Sequence, residues 1–187
     1  MAVDRLSTAA MEVLSLGAAD AYSELVVRGA GNPAARRLLE NLVPADLFQP
    51  VSGVSPSRQK AALAGLWLWH DWLDESHSIS QELHDSTGSF WHAIMHRREG
   101  DFSNSKYWYA KTSGHPALTT LAGQAPALVN SMPADKRLLK ITMHGFDPNA
   151  LVDLIEFVHD NPNDSSRSAA VSLQQLEWRV LFDYCRK

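Results

Sequence analysis

The sequence predicts an all-α protein, one helical domain over residues 1–187. Apolar residues recur three and four apart along most of the chain, the period of an amphipathic helix. No convincing run alternates apolar and polar residues, as a half-buried strand must. Helix punctuation is also plain: Asp147-Pro148 reads as an N-cap followed by a first-turn proline, and Gly100 as a residue just past a helix C-terminus.

In order, the spacing of Leu6, Ala9, Val13, Leu16, Ala21 and Leu25 predicts a helix over 4–28, with Gly17 as a break or an interior glycine. Gly29, Gly31 and Asn32 stop it, and Pro33 opens a second helix to about 43 that turns Leu38, Leu39 and Leu42 inward. Pro44, Pro50, Gly53 and Pro56 mark residues 44–56 as a loop with one turn at 45–48. A long helix from an N-cap at Ser57 to about His84 follows from the stripe Leu63, Leu66, His70, Leu73, His77 and His84. Thr87 and Gly88 interrupt it, and Ser89 caps a short neighbour over 90–99. These two helices organise the domain, packed together by their short connection. Asp101 or Ser103 starts a helix to about Thr112. Beyond it, short helices are expected around Leu118–Ala122 and Pro133–Met143, with Lys140–Met143 as an alternative strand. Helices from Asp147-Pro148 and over 170–185 flank a polar loop at 161–168.

Composition excludes several classes. With 187 residues, 45% apolar and 20% charged, the chain can bury a core and is not globally disordered. A net charge of −4 gives no basic footprint for nucleic acid. The single cysteine, Cys185, rules out an internal disulfide framework and suits a reducing compartment. The longest apolar run, Ala61–Trp69, falls far short of the roughly 20 residues that span a bilayer. No secretory pattern follows Asp4 and Arg5, so the expected location is the cytoplasm, with no membrane partner.

Chemistry concentrates between Ser57 and Gly114, which hold five of the eight histidines and five of the six tryptophans. His92 and His96 stand four apart and Glu99 follows three later, so all three share a helical face. The zincin motif requires a glutamate directly after its first histidine, where this chain has Ala93. A divalent metal such as zinc would therefore need a ligand from the preceding helix, His77 or His84. His70, His77 and His84 cannot share an ion among themselves, because seven helical residues span about 10.5 Å. His77, His92, His96 and Glu99 are the catalytic candidates, and the first three of them the metal ligands. Arg97 and Arg98 offer forked donors for an anion. His70, Asp74, Asp101, Asn104, Lys106, Trp91 and Trp108 complete a candidate lining for a small polar or anionic molecule. Asp74 lies within a turn of both His70 and His77 and is placed to orient either ring.

From Phe90 through Trp108 the chain carries a W-H-A-I-x-H-R-R-E-x-D-x-x-N-x-x-Y-W block, preceded by His70-Asp71 and Asp74-Glu75-Ser76-His77. Over about residues 66–116 it resembles an uncharacterised microbial family with no assigned activity. The resemblance implies that these residues belong together and supplies no reaction. Three readings follow: a pocket for a small polar or anionic molecule, a metal-dependent enzyme centred on His92 and His96, or a structural or interaction protein with a buried polar network.

Overall fold

Two helices buried on nearly every side form the centre of the molecule. In the computed structural model, which describes residues 6–19, 21–49 and 53–187, α3 spans Pro56–Trp69 and α5 spans Ser86–Glu99. Every residue from Ala61 to Leu68 on α3 and from Thr87 to Arg98 on α5 is buried. Such helices need no polar face, because others cover them all round. Gly65 sets their approach: a Cβ there would stand 2.7 Å from Trp91 Cζ2, inside contact distance. The bare backbone also leaves the Gly65 carbonyl open to the Trp178 indole N–H at 2.8 Å.

The covering layer consists of α1 (Thr8–Ser15), α2 (Pro33–Leu39), α4 (Leu73–Ser80), α6 (Phe102–Tyr109), α7 (Pro116–Asn130), α8 (Lys136–Thr142), α9 (Pro148–Asp160) and α10 (Arg167–Cys185). Short 3-10 turns at Pro44–Leu47 and Ala110–Thr112 complete the order. Among the described residues there is no strand, only isolated bridges at Leu6–Phe48 and Met143–Gly145. The fold is all-α, and its apolar side chains join one contiguous core. No helix among the described residues is long and apolar enough to cross a membrane.

Several elements differ from expectation. The helix expected over 57–84 is two helices, because the chain breaks at Asp71, whose φ is +66°. Tertiary donors take the carbonyls at that break: Arg98 Nη1 reaches Leu68 O at 2.9 Å and the Asn32 amide reaches His70 O at 3.0 Å. The N-cap lies two residues earlier too, at Ser55, with Pro56 first in the helix. Ser89 is no cap: Asp85 is, accepting from the Gly88 amide at 2.8 Å, and Gly88 lies inside α5 against the Leu83 carbonyl. The first helix is confined to Thr8–Ser15, with Gly17 left-handed at φ +60° just beyond. Asp4, Arg5 and Pro50 lie outside the described residues. α7 runs to Asn130 with Pro126 inside it, and residues Lys140–Thr142 are helical. The expected ends at Gly100 and Asp101 and the Asp147-Pro148 start all stand as read.

Candidate metal centre

The break in the long helix is what builds the site. It lets α4 turn against α5, and His77 then meets the face that carries His92 and His96. One ring nitrogen from each of the three lies within 4.8 Å of the others. Ring centroids are 4.6 Å apart for His77 and His92, 5.5 Å for His77 and His96, and 4.8 Å for His92 and His96. His92 and His96 are buried and His77 is half-buried, so the cluster opens on the His77 side. Trp108 of α6 closes another side, stacked on the His92 ring at 4.0 Å and 12°.

The hydrogen bonds around the three rings are unequal. His96 Nδ1 lies 3.0 Å from Glu99 Oε2, and Asn104 Nδ2 lies 3.1 Å from His96 Nε2. Glu99 only accepts, so Nδ1 carries the proton and Nε2 presents its lone pair. Asn104 is placed by Asp101, whose carboxylate caps α6 and accepts the Asn104 amide at 3.0 Å. His92 is different: its Nδ1 is buried with no hydrogen-bond partner. Among the described residues no partner reaches a ring nitrogen of His77 either. The His92 Nδ1 is one of nine buried side-chain atoms without a partner among the described residues, and a neutral imidazole nitrogen of this kind is able to take a metal ion. Burial pushes the His92 pKa down to about 4, aided by the charges of His77, His96 and Lys111. His92 is thus neutral at physiological pH, the form that binds metal. The donor set fits a borderline-soft divalent ion such as zinc.

No family model, curated protein or solved structure matches this chain, so the residues alone carry the reading.

Of the other expected site residues, the structure brings Asn104 and Trp108 to the cluster, with Asp101 behind Asn104, and places the rest elsewhere. Arg97 and Arg98 are fully buried, with both Nη atoms of each engaged and each Nε unpartnered among the described residues. Arg97 pairs with Glu177 of α10 and donates to the Tyr109 hydroxyl. Burial works against its charge, but Glu177 outweighs that and the pKa is raised. Arg98 donates to the Leu68 and Glu24 carbonyls and lies over the Tyr22 ring at 3.9 Å. Asp71 Oδ1 approaches it at 2.8 Å, an ionic contact without hydrogen-bond alignment. Neither guanidinium has a fork free for an incoming anion. Lys106 turns to Asp153 and Glu156 on α9. His70 is a core histidine bonded to Val13 O at 2.8 Å. Asp74 orients neither ring: it lines a separate cleft of about 320 Å³ with Trp67, Glu75, Ser78 and Ile79. Trp91 is fully buried against Gly65 and Trp178, and His84 is exposed away from the cluster.

Sequence reading missed the parts that three residues play. Glu177 and Tyr109 complete the buried Arg97 network. Glu177 was visible in principle, an acidic residue on the stripe of Leu173, Leu176, Val180 and Leu181. Lys111 is the third. It lies over the Tyr107 and Trp108 rings at 4.3 and 4.1 Å, and its spacing of four and three from those residues was the available signal.

Proposed function

We propose that this chain is a metal-dependent enzyme whose His77, His92 and His96 hold one divalent ion such as zinc. The observation that carries the proposal is the convergence of three imidazoles, of which His92, at its buried Nδ1, has no hydrogen-bond partner among the described residues. Structural zinc sites are closed by four protein ligands, whereas catalytic ones keep a position open. Three histidines and an opening beside His77 support the second kind. A metal there would supply a Lewis acid and a bound water of lowered pKa.

The chain's own residues have distinct parts. Glu99 holds the proton on His96 Nδ1 and so turns the Nε2 lone pair inward, the carboxylate–histidine arrangement common behind metal ligands. Trp108 stacks on His92 and fixes its plane. Asn104 lies on the His96 Nε2 lone pair, and its amide would have to give way for that atom to hold a metal. The pocket reading, built on Arg97 and Arg98, loses those donors to buried pairing, and the buried-network reading describes that half of the cluster alone.

The test is a zinc titration by calorimetry on the apo-protein. One site per chain is expected. His92→Ala abolishes it, and Glu99→Gln weakens it by about 10- to 100-fold. Uptake by the His92→Ala variant equal to that of the parent rejects the assignment.

A further inference from the structure

We infer that the chain has a second site, a cavity beside the break at Asp71 that takes a small uncharged molecule bearing several hydroxyl groups, of the sugar or polyol class. The inference does not rest on the metal reading, because no residue lining this cavity belongs to the histidine cluster. The cavity has a volume of about 290 Å³, and its lining includes Gly17, Ala21, Asn32, Trp69, His70 and Asp71. Gly17 is exposed, so the cavity meets solvent there. The volume lies at the small end of ligand pockets, which run from about 300 to 1,000 Å³. It suits a molecule of monosaccharide size or less.

Two observations converge on this cavity. The first is in the backbone. Among the described residues only Tyr22 and Asp71 are non-glycine residues with positive φ, at +59° and +66°. Asp71 lines the cavity, and Tyr22 directly follows Ala21, which also lines it. Left-handed non-glycine residues are strained, and they gather at ligand clamps and active sites. The second is in the side chains. Asn32 spends its Oδ1 on capping α2, but its Nδ2 donates to nothing among the described residues. That amide faces Gly17, where an added Cβ would stand 3.4 Å from it. Trp69 Nε1 and Asp71 Oδ1 are buried atoms with no hydrogen-bond partner among the described residues. His70 Nε2 donates to the Val13 carbonyl at 2.8 Å, which leaves the Nδ1 lone pair of the neutral ring to accept. Burial lowers the His70 pKa and so favours that neutral ring.

The lining thus mixes donors, at Asn32 and Trp69, with acceptors, at His70 and Asp71. The Asp71 charge is balanced by Arg98 at 2.8 Å, so nothing in the lining calls for an ion. An ammonium only donates and a carboxylate only accepts, whereas a hydroxyl does both. A molecule with several hydroxyls is the class that can satisfy all four groups together.

Nitrogen–proton correlation NMR of the labelled protein reads the site at the Gly17 amide and the Trp69 indole N–H. D-glucose and glycerol are titrated separately, with sodium acetate and ethylammonium chloride as charged controls. The expected result is a saturable shift of both signals with at least one polyol and none with either ion. Asn32→Asp keeps the helix cap and removes the free donor, and it weakens that polyol by about fivefold, the worth of one hydrogen bond. Ala21→Leu fills the cavity and abolishes binding; if that variant does not fold, Asn32→Asp decides. No saturable shift with either polyol, a saturable shift with an ion, or parent-like polyol affinity in a folded variant overturns the inference.

Discussion

Buried imidazoles differ in whether protein groups pair them, and this chain contains both kinds. His115 is the paired kind. Its Nδ1 accepts the Ala117 amide at 3.1 Å and caps α7, while Nε2 meets Thr87 Oγ1 at 3.2 Å. Burial pushes its pKa down to about 4. The folded value lies below the unfolded one of about 6.5, so the unfolded chain takes up the proton first as pH falls. Stability from this residue is complete above about pH 6.5 and is lost on acidification toward pH 4. Thermal melts at pH 7 and 4.5 should therefore differ by about 2 kcal/mol more in the parent than in His115→Gln. Equal pH sensitivity in both would contradict that account. His92 is the other kind: among the described residues nothing pairs its buried Nδ1, and nothing pairs the ring of the half-buried His77 beside it. Replacing either by alanine is expected to remove metal binding at a cost in stability below that of Leu66→Ala, as melts of the apo-proteins would show.

At the scale of the element, the crossing of α3 and α5 depends on one missing side chain. Gly65→Ala puts a methyl group against Trp91 in a region with no slack, and overpacking of this kind costs about 1–3 kcal/mol. Urea unfolding of that variant would test it, and an unchanged midpoint would show that the helices can part freely. Leu66 is fully buried and Leu73 only partly so. Leu66→Ala is expected to cost about 2–5 kcal/mol and Leu73→Ala clearly less, because α4 is a separate, half-covered helix. That ranking departs from the single stripe the sequence suggested, on which the two leucines were equivalent. Caps written in local chemistry were legible: Asp147-Pro148, Gly100 and Asp101 satisfy their own helix ends. The break at Asp71 was not, because neither glycine nor proline marks it. It is held by Arg98 and Asn32, which lie 27 and 39 residues from it in the chain and take its carbonyls.

Across the whole molecule, the polar cluster seen in the sequence divides between two tasks. Arg97 and Glu177 tie α5 to α10 inside the core, joined by Tyr109. Glu177→Ala would leave the guanidinium buried without its counter-ion, a loss of about 3–5 kcal/mol read by denaturant unfolding. Adjacent arginines in a polar run look solvent-facing in the sequence, and only the distant placement of Glu177 reveals otherwise. The histidine half was more legible. Helical spacing joined His92, His96 and Glu99, and the preceding helix offered His77 and His84 equally as a third group; the break at Asp71 brings His77 to the cluster. The central claim is that these three rings form one metal site. Elemental analysis of the purified protein, after saturation with zinc and removal of the excess, measures it directly. The account predicts one zinc per chain in the parent and none in the His77→Ala, His92→Ala, His96→Ala triple variant. A parent that retains no zinc, or a triple variant that retains as much, would contradict it.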